Sequence, residues 1–346
     1  MYEFIITYNS DKGKTNYKIV SYDVTSVQLI DGNWIPFSGP VFRSDKAQKM
    51  VAQSVTIPCG KCLGCRLEYS RQWANRCMLE LGYHVSSWFV TLTYDDAHLP
   101  RSFYGNPDTG EAVPCATLYK RDFQLFMKRL RKKFGEGIRF YAAGEYGDQT
   151  KRPHYHAIIY GLELDDLVFY KKMALESANL YYNYYNSESL QSCWRDKDGN
   201  DIGFVVVGKV TWETCAYVAR YIMKKQKGQG ADVYERFNIE PEFCLMSRKP
   251  GIAHQYYEDH PEMWDYDKIN ISTPNGGRSF RPPQYFERLF DVDCPDLSSV
   301  RKKKKNEVAK SAEKIKKKLM DKSYSDIMII EENVKKNRTK KLRRIL

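Results

Sequence analysis

The chain has 346 residues, a net charge of +12 and nine cysteines. Its length allows one to three domains around a substantial core, and no apolar run approaches the ~18 residues of a membrane-spanning helix. The charge is uneven: from Arg301 onward 18 Lys/Arg stand against 6 Asp/Glu, so this tail carries all of it, and residues 1–300 balance at 37 against 37. A basic tail suits attraction to a polyanion such as nucleic acid, or a solvated helix that serves solubility. The N-terminus, MYEFIITYNSDKGK, lacks a basic region before an apolar core, which predicts no secretory leader. Three cysteines crowd one short motif, which predicts reduced thiols in a cytosol.

Residues 1–54 alternate short β-prone runs (EFIITY, YKIVSY, SVQLI, WIPF) with Asp-Gly and Ser-Gly turns and carry no evident chemistry. Residues 59–65, CGKCLGC, bring Cys59, Cys62 and Cys65 into two overlapping CxxC knuckles. Paired thiolates chelate zinc, and a structural site takes four ligands; Cys77 and His84 are the nearest candidates for completion. A zinc staple and free thiols both fit. No fourth cysteine follows at the spacing of a ferredoxin cluster. Residues 66–82 predict a helix with Leu67, Ser70, Trp73, Cys77 and Leu81 on one face and Gly82 at its end.

WFVTLTY (88–94) predicts a strand. Residues 117–135 predict an amphipathic helix, with an apolar stripe of Leu118, Phe123, Phe126, Leu130 and Phe134 and a basic face of seven Lys/Arg. Such a face is either simply solvated or set to follow a phosphate backbone. IRFYAAGE (138–145) and the run ending at Gly161 predict two strands. Residues 163–185 begin with a helical pattern and pass into the Tyr/Asn-rich NLYYNYYNSES; RDKDGND (195–201) predicts a turn and GFVVVGKV (203–210) a strand.

The chemistry gathers on two of these elements. In a strand, His154 and His156 of His154-Tyr155-His156 point to one face. Two neutral imidazoles side by side form half of a metal site, and Glu145 supplies a carboxylate if the two strands pair. Residues 211–225, TWETCAYVARYIMKK, predict a helix capped by Thr211. Tyr217 and Tyr221, four apart, emerge from one helical face, with Lys224 three residues further on. Each pattern alone is common packing.

Together they resemble the HUH endonuclease superfamily, whose members include rolling-circle replication initiators, relaxases and single-strand transposases. More narrowly, CGKCLGCRLEYSRQWANRC, FVTLTYDD, GEYG with RPHYHAIIYG, VTWETCAYVARYIMKK and MSRKPGI (246–252) resemble the replication initiators of microviruses, in particular the gokushovirus branch. These segments span most of residues 59–252. The resemblance implies His154 and His156 as metal ligands, Glu145 as the third, Tyr217 and Tyr221 as paired nucleophiles, and Lys224 near the scissile phosphate. FVTLTYDD matches a motif whose role is mainly structural, and no chemistry is assigned to it.

The resemblance further implies an α+β, ferredoxin-like core with a central antiparallel sheet. The expected organisation is a β-rich N-terminal segment (1–54), a Cys-containing helical segment (55–86), an HUH endonuclease core (87–260), a C-terminal extension (261–300) and a basic tail (301–346). The implied activity is metal-dependent tyrosine transesterification of single-stranded origin DNA, giving a 5′-phosphotyrosine adduct and a free 3′-OH. Mg²⁺ or Mn²⁺ would serve the histidines, and Zn²⁺ the cysteine set Cys59, Cys62, Cys65 and Cys77. No GxxxxGK[ST] is present, so a host helicase and a host DNA polymerase are the expected partners, in the cytoplasm of a bacterial host. A plasmid mobilisation relaxase or transposase would share this chemistry. A non-catalytic, zinc-stabilised DNA-binding module would form no covalent adduct.

Overall fold

The protein is seen in a computed structural model, which describes residues 2–9, 15–21, 24, 26–31, 33–37, 48–50, 53–60, 62–175, 180–221, 225, 228–273, 276–320 and 324–340. The chain forms two compact units, residues 1–66 with 299–346, and residues 67–298. In the first, the β-prone runs become β1 (Tyr2–Asn9), β2 (Thr15–Ser21), β3 (Ser26–Ile30), β4 (Asn33–Phe37), β5 (Gln48–Met50) and β6 (Gln53–Pro58). They form two antiparallel three-stranded sheets, ordered β2-β1-β6 and β4-β3-β5. Val20, Val27 and Trp34 make a small core there.

Helix α1 (Leu63–Leu81) opens the second unit, whose centre is an antiparallel sheet of seven strands. The first is β7 (Ser87–Thr93), followed by a separate hairpin of β8 (Arg101–Gly105) and β9 (Ala112–Ala116) and by helix α2 (Lys120–Phe134). Then come β10 (Arg139–Tyr146), β11 (Pro153–Tyr160), β12 (Val168–Leu175), β13 (Leu180–Asn186), the one-turn α3 (Glu188–Gln191) and β14 (Val205–Lys209). Helices α4 (Trp212–Arg220) and α5 (Asp232–Arg236) lead to β15 (Phe243–Met246). The strand order is β12-β13-β14-β7-β11-β10-β15. Numbered along the chain, the central four strands β14-β7-β11-β10 read 4-1-3-2, the order of a ferredoxin-like split βαβ unit. The fold is therefore α+β with a large antiparallel sheet.

One expectation is corrected. The helical pattern at 163–185 is replaced by the β12–β13 hairpin, so the crossover from β11 to β14 is made of strand and one helical turn. The physical reason lies in composition. Val168, Phe169, Tyr170 and the tyrosines of β13 prefer a pleated surface, and pairing along two strands outweighs a weak local helical period.

Alternation along the strands gives the sheet two apolar faces. Val90, Leu92, Tyr155, Ala157 and Ile159 point to the face covered by α2, where Phe123, Phe126, Met127 and Leu130 are buried. Phe89, Tyr141, Ala143, Ile158 and Tyr160 point to the other, covered by Trp73, Ala74 and Cys77 of α1 and Cys215, Val218 and Ala219 of α4. A third cluster of Leu79, Ala253, Met263, Ile269 and Phe286 involves the C-terminal extension, with helices α6 (His254–Asp259), α7 (Met263–Tyr266) and α8 (Gln284–Asp293) and hairpin β16 (Ile269–Thr273) with β17 (Gly276–Phe280). The basic segment is helical, as α9 (Pro295–Met320) and α10 (Tyr324–Lys340), joined by the ion pair of Lys316 and Glu331.

Candidate metal and tyrosine site

Pairing of β10 with β11 sets Glu145 directly opposite His154, and pairing of β11 with β7 sets His156 opposite Thr91. Glu145 is 2% and His156 1% exposed, so the group is withdrawn from water. Glu145 Oε1 lies 2.8 Å from His154 Nε2 and 3.3 Å from His156 Nε2. The three residues can each turn one ligand atom to within 4.8 Å of the others.

The protons show what this arrangement wants. His154 Nδ1 is 3.1 Å from the carbonyl oxygen of Arg152, which can only accept, so Nδ1 carries the proton. Burial holds the His154 imidazole below its ordinary pKa, despite that carbonyl, and the ring is neutral at pH 7. Its Nε2 then turns a lone pair toward the Glu145 carboxylate. Burial, with His154 beside it, holds His156 well below its ordinary pKa as well. His156 Nε2 is buried and makes no hydrogen bond. Two neutral imidazole nitrogens and a carboxylate oxygen converge with no proton to share among them, and a cation resolves that conflict. The donor set fits a divalent metal, with each Nδ1 held by a second group as metal-binding histidines usually require.

Helix α4 lies over this group. Thr211 caps it: the Thr211 hydroxyl accepts from the Thr214 amide at 3.2 Å, and Thr214 Oγ1 accepts from the Thr211 amide at 2.8 Å. The regular helix ends at Arg220, with Tyr221 as its C-cap. The Tyr221 ring stacks on the His156 imidazole at 4.8 Å and 6° between planes, while Phe89 stacks on the other side at 5.6 Å and 12°. Tyr217 meets His156 edge-on at 5.3 Å and Tyr221 at 4.8 Å. The tyrosine pair and the histidine pair are thus one cluster. Burial pushes the Tyr217 phenol up to about 12, against the pull of the Arg220 charge. Burial and then Tyr217 drive Tyr221 higher still. Lys224 lies outside the described residues.

Two contributors went unassigned in the sequence. Thr91 Oγ1 is 3.0 Å from His156 Nδ1, so the FVTLTYDD strand orients a candidate ligand as well as supporting the sheet. Alternation, which places Phe89 and Thr91 on one face, was the available signal. Arg220 stands with its guanidinium carbon 5.9 Å from the Tyr217 ring centre. Helix α2, whose basic face was a candidate backbone contact, packs through Phe123 against Tyr155, on the face opposite His154 and His156.

The cysteines divide. Cys59 Sγ and Cys65 Sγ are 4.0 Å apart, the Cys62 amide donates to Cys59 Sγ at 3.3 Å, and the three sulfurs lie within 4.8 Å of one another. Cys77 is not in that group. Roughly three turns further along α1, it is fully buried with Trp73 and Tyr160 in the apolar core. His84 is engaged with Glu80 at 3.3 Å.

Fold and site together describe an α+β protein with a buried His/His/Glu centre beneath a tyrosine pair. A family model for the replication-associated protein ORF2 family matches residues 87–226, the segment that holds both. Replication-associated protein ORF2 of Spiroplasma virus 4 is 33% identical over 318 residues, covering 89% of this chain and 91% of that protein. Replication-associated protein VP4 of Bdellovibrio phage phiMH2K is 31% identical over 267 residues, 74% of each chain. Replication-associated protein ORF4 of Chlamydia phage 1 is 30% identical over 183 residues, 50% of this chain and 39% of that protein. No solved structure matches. The chain belongs to the family of microvirus replication-associated proteins.

Proposed function

We propose that this chain initiates rolling-circle replication of a small circular phage genome by nicking and rejoining single-stranded origin DNA. The observation that carries this reading is the contact of Tyr217 and Tyr221 with His156, inside a buried donor set that fits a divalent cation. Glu145, His154 and His156 would hold Mg²⁺ or Mn²⁺, which when bound supplies positive charge to the non-bridging oxygens of a phosphodiester.

The rest falls to the chain's own side chains. A tyrosine oxygen bonds to phosphorus as the P–O3′ bond breaks; the phenol gives up one proton and the departing 3′ oxygen takes one up. The products are a 5′-phosphotyrosine link and a free 3′-OH that a polymerase extends. Because one phosphodiester replaces another, the reverse reaction reseals the strand. Burial makes the phenols poor nucleophiles in the resting protein, and Arg220 favours the Tyr217 phenolate. Lys224, three residues past Tyr221, would stand near the phosphate. Two tyrosines side by side allow one to hold the 5′ end while the other attacks the regenerated origin.

With no P-loop in the sequence, unwinding and synthesis belong to a host helicase and polymerase in the bacterial cytoplasm. Cys59, Cys62 and Cys65 would hold Zn²⁺ as a staple at the start of α1, since sulfurs about 4 Å apart suit Zn–S bonds of about 2.3 Å.

The test is a labelled single-stranded oligonucleotide carrying the cognate origin, incubated with protein and Mn²⁺ with or without EDTA and run on a denaturing protein gel. An EDTA-sensitive labelled adduct that vanishes in the Tyr217→Phe/Tyr221→Phe double variant is expected. Tight binding of that DNA by folded protein without any adduct would turn the reading to a DNA-binding module.

A further inference from the structure

The β12–β13 hairpin lies at one edge of the seven-stranded sheet, with β12 outermost. Its described side chains, VFYKK at 168–172 and YYNYYN at 181–186, include six aromatic rings, two lysines and no carboxylate. Val168, Phe169, Tyr170 and Tyr181 are each more than half exposed, at 65, 58, 51 and 58%. Rings and charges are interleaved: Lys171 Nζ lies 5.3 Å from the Tyr170 ring centre, and Lys172 Nζ lies 4.4 Å from that of Tyr181.

This surface is continuous with the tyrosine site. Cross-strand pairing runs Lys171, Tyr184, Gly208, Phe89 in one row, so Lys171 shares the face of Phe89 and His156. Lys171 Nζ is also 6.0 Å from the Tyr184 ring. Gly208 leaves the space between two rings: a Cβ there would stand 3.3 Å from Tyr184 and 3.6 Å from Phe89. The tract continues through Phe89 to His156 and Tyr221. Three strand spacings of ~4.8 Å separate the Lys171 and Phe89 backbones, about 14 Å. A few nucleotides of an unstacked strand bridge that distance. The carboxylates nearby are already engaged: Asp166 accepts from Ser187 and the Ser189 amide, and Glu213 is 3.8 Å from Arg278.

Aromatic faces beside flexible cations, leading to a phosphodiester-cleaving centre, are what a single strand needs, because every base has a π-face and every nucleotide a negative charge. We infer that the β12–β13 hairpin is the platform that carries single-stranded DNA to the tyrosines, with bases stacking on Tyr170 and Tyr181 and phosphates held by Lys171 and Lys172. The inference rests on the nickase reading for what lies at the end of the path.

The test uses the full chain in EDTA, where no cutting occurs, and a fluorescein-labelled single-stranded oligothymidylate followed by anisotropy across a salt series. All four side chains are exposed, so Tyr170→Ala/Tyr181→Ala and Lys171→Ala/Lys172→Ala should fold normally, with a circular-dichroism melt as the check. The tyrosine variant should bind roughly tenfold to a hundredfold more weakly, and Tyr170→Trp/Tyr181→Trp should restore binding. The lysine variant should lower the slope of log K against log salt by about 1.4, at ~0.7 per single-strand phosphate contact. Lys197→Ala, in the turn at 195–201, should change neither. Unchanged affinity and slope in both double variants overturns the platform, and so does a lysine variant that aggregates with its DNA binding intact, because the lysines would then only guard a sheet edge. Weakened binding as stated, with no tyrosine adduct from the wild-type chain on origin DNA with Mn²⁺, keeps the platform and sinks the nickase.

Discussion

Glu145 and His154 face one another across the β10–β11 hairpin, with Oε1 2.8 Å from Nε2, and the same oxygen is 3.3 Å from His156 Nε2. Without a cation this is a crowded set of acceptors. Mn²⁺ should therefore raise the melting temperature of the wild-type chain and leave that of Glu145→Gln nearly unmoved. A metal present at about 100 times its Kd adds ~2.7 kcal/mol, readily seen by scanning calorimetry. An equal rise in both proteins would remove Glu145 from the site.

Thr91 orients His156 from the neighbouring strand. Thr91→Val keeps the shape and removes the hydroxyl, and should weaken Mn²⁺ binding by roughly 10- to 100-fold, measured by isothermal titration. Unaltered affinity would show the hydroxyl to be a bystander.

The two tyrosines differ in access: Tyr217 is half-buried, Tyr221 is 5% exposed and its phenol is the harder to ionise. We expect Tyr217→Phe to slow the first cut of an origin oligonucleotide the more strongly, and Tyr221→Phe to stall chiefly at the second transfer, scored as released circles. The reverse pattern would exchange their order; wild-type circle release by both single variants would end the paired-nucleophile idea.

His154 and His156 are held neutral by burial, so their folded pKa values lie below the ~6.5 of an unfolded histidine. Below that pH the unfolded chain binds more protons than the folded one, and stability falls as the pH drops. Each histidine contributes a slope of up to about 1.4 kcal/mol per pH unit in that window. Urea midpoints in EDTA from pH 7.5 to pH 5 should show the loss, and His154→Gln/His156→Gln should show a shallower one. Parallel curves would mean that other groups dominate.

The Cys59/Cys62/Cys65 group should bind one zinc per chain, detected by mass spectrometry of protein purified without added metal. Cd²⁺ exchange should give a thiolate charge-transfer band that disappears in the triple Ser variant. Three thiols that titrate at once with Ellman's reagent in the native chain would mark them as free.

Gly203 has φ +154°, and a Cβ there would lie 1.9 Å from the carbonyl oxygen of Thr93. Neither the turn nor the β7 backbone can yield cheaply, so Gly203→Ala should destabilise the fold by about 3 kcal/mol or more, a cost of the size that forced backbone strain and overpacking bring. A two-state denaturation series would show it as a lower midpoint.

Several features were already fixed by local chemistry. The period of α2, the Thr211 cap, the strands around His154-Tyr155-His156 and the i,i+4 spacing of Tyr217 and Tyr221 depend on residues within a few positions of one another. The motifs themselves, read as a set, pointed to the family that the relatives share. What only the tertiary structure decided depends on pairing between distant segments. Strand register brought Glu145 to His154 and Thr91 to His156, the α4 docking angle laid Tyr221 on the His156 ring, and Cys77 turned into the apolar core away from the other cysteines. The β12–β13 hairpin shows the same limit from the other side. Its helical period was real but weak, and sheet pairing, which no local window contains, overrode it.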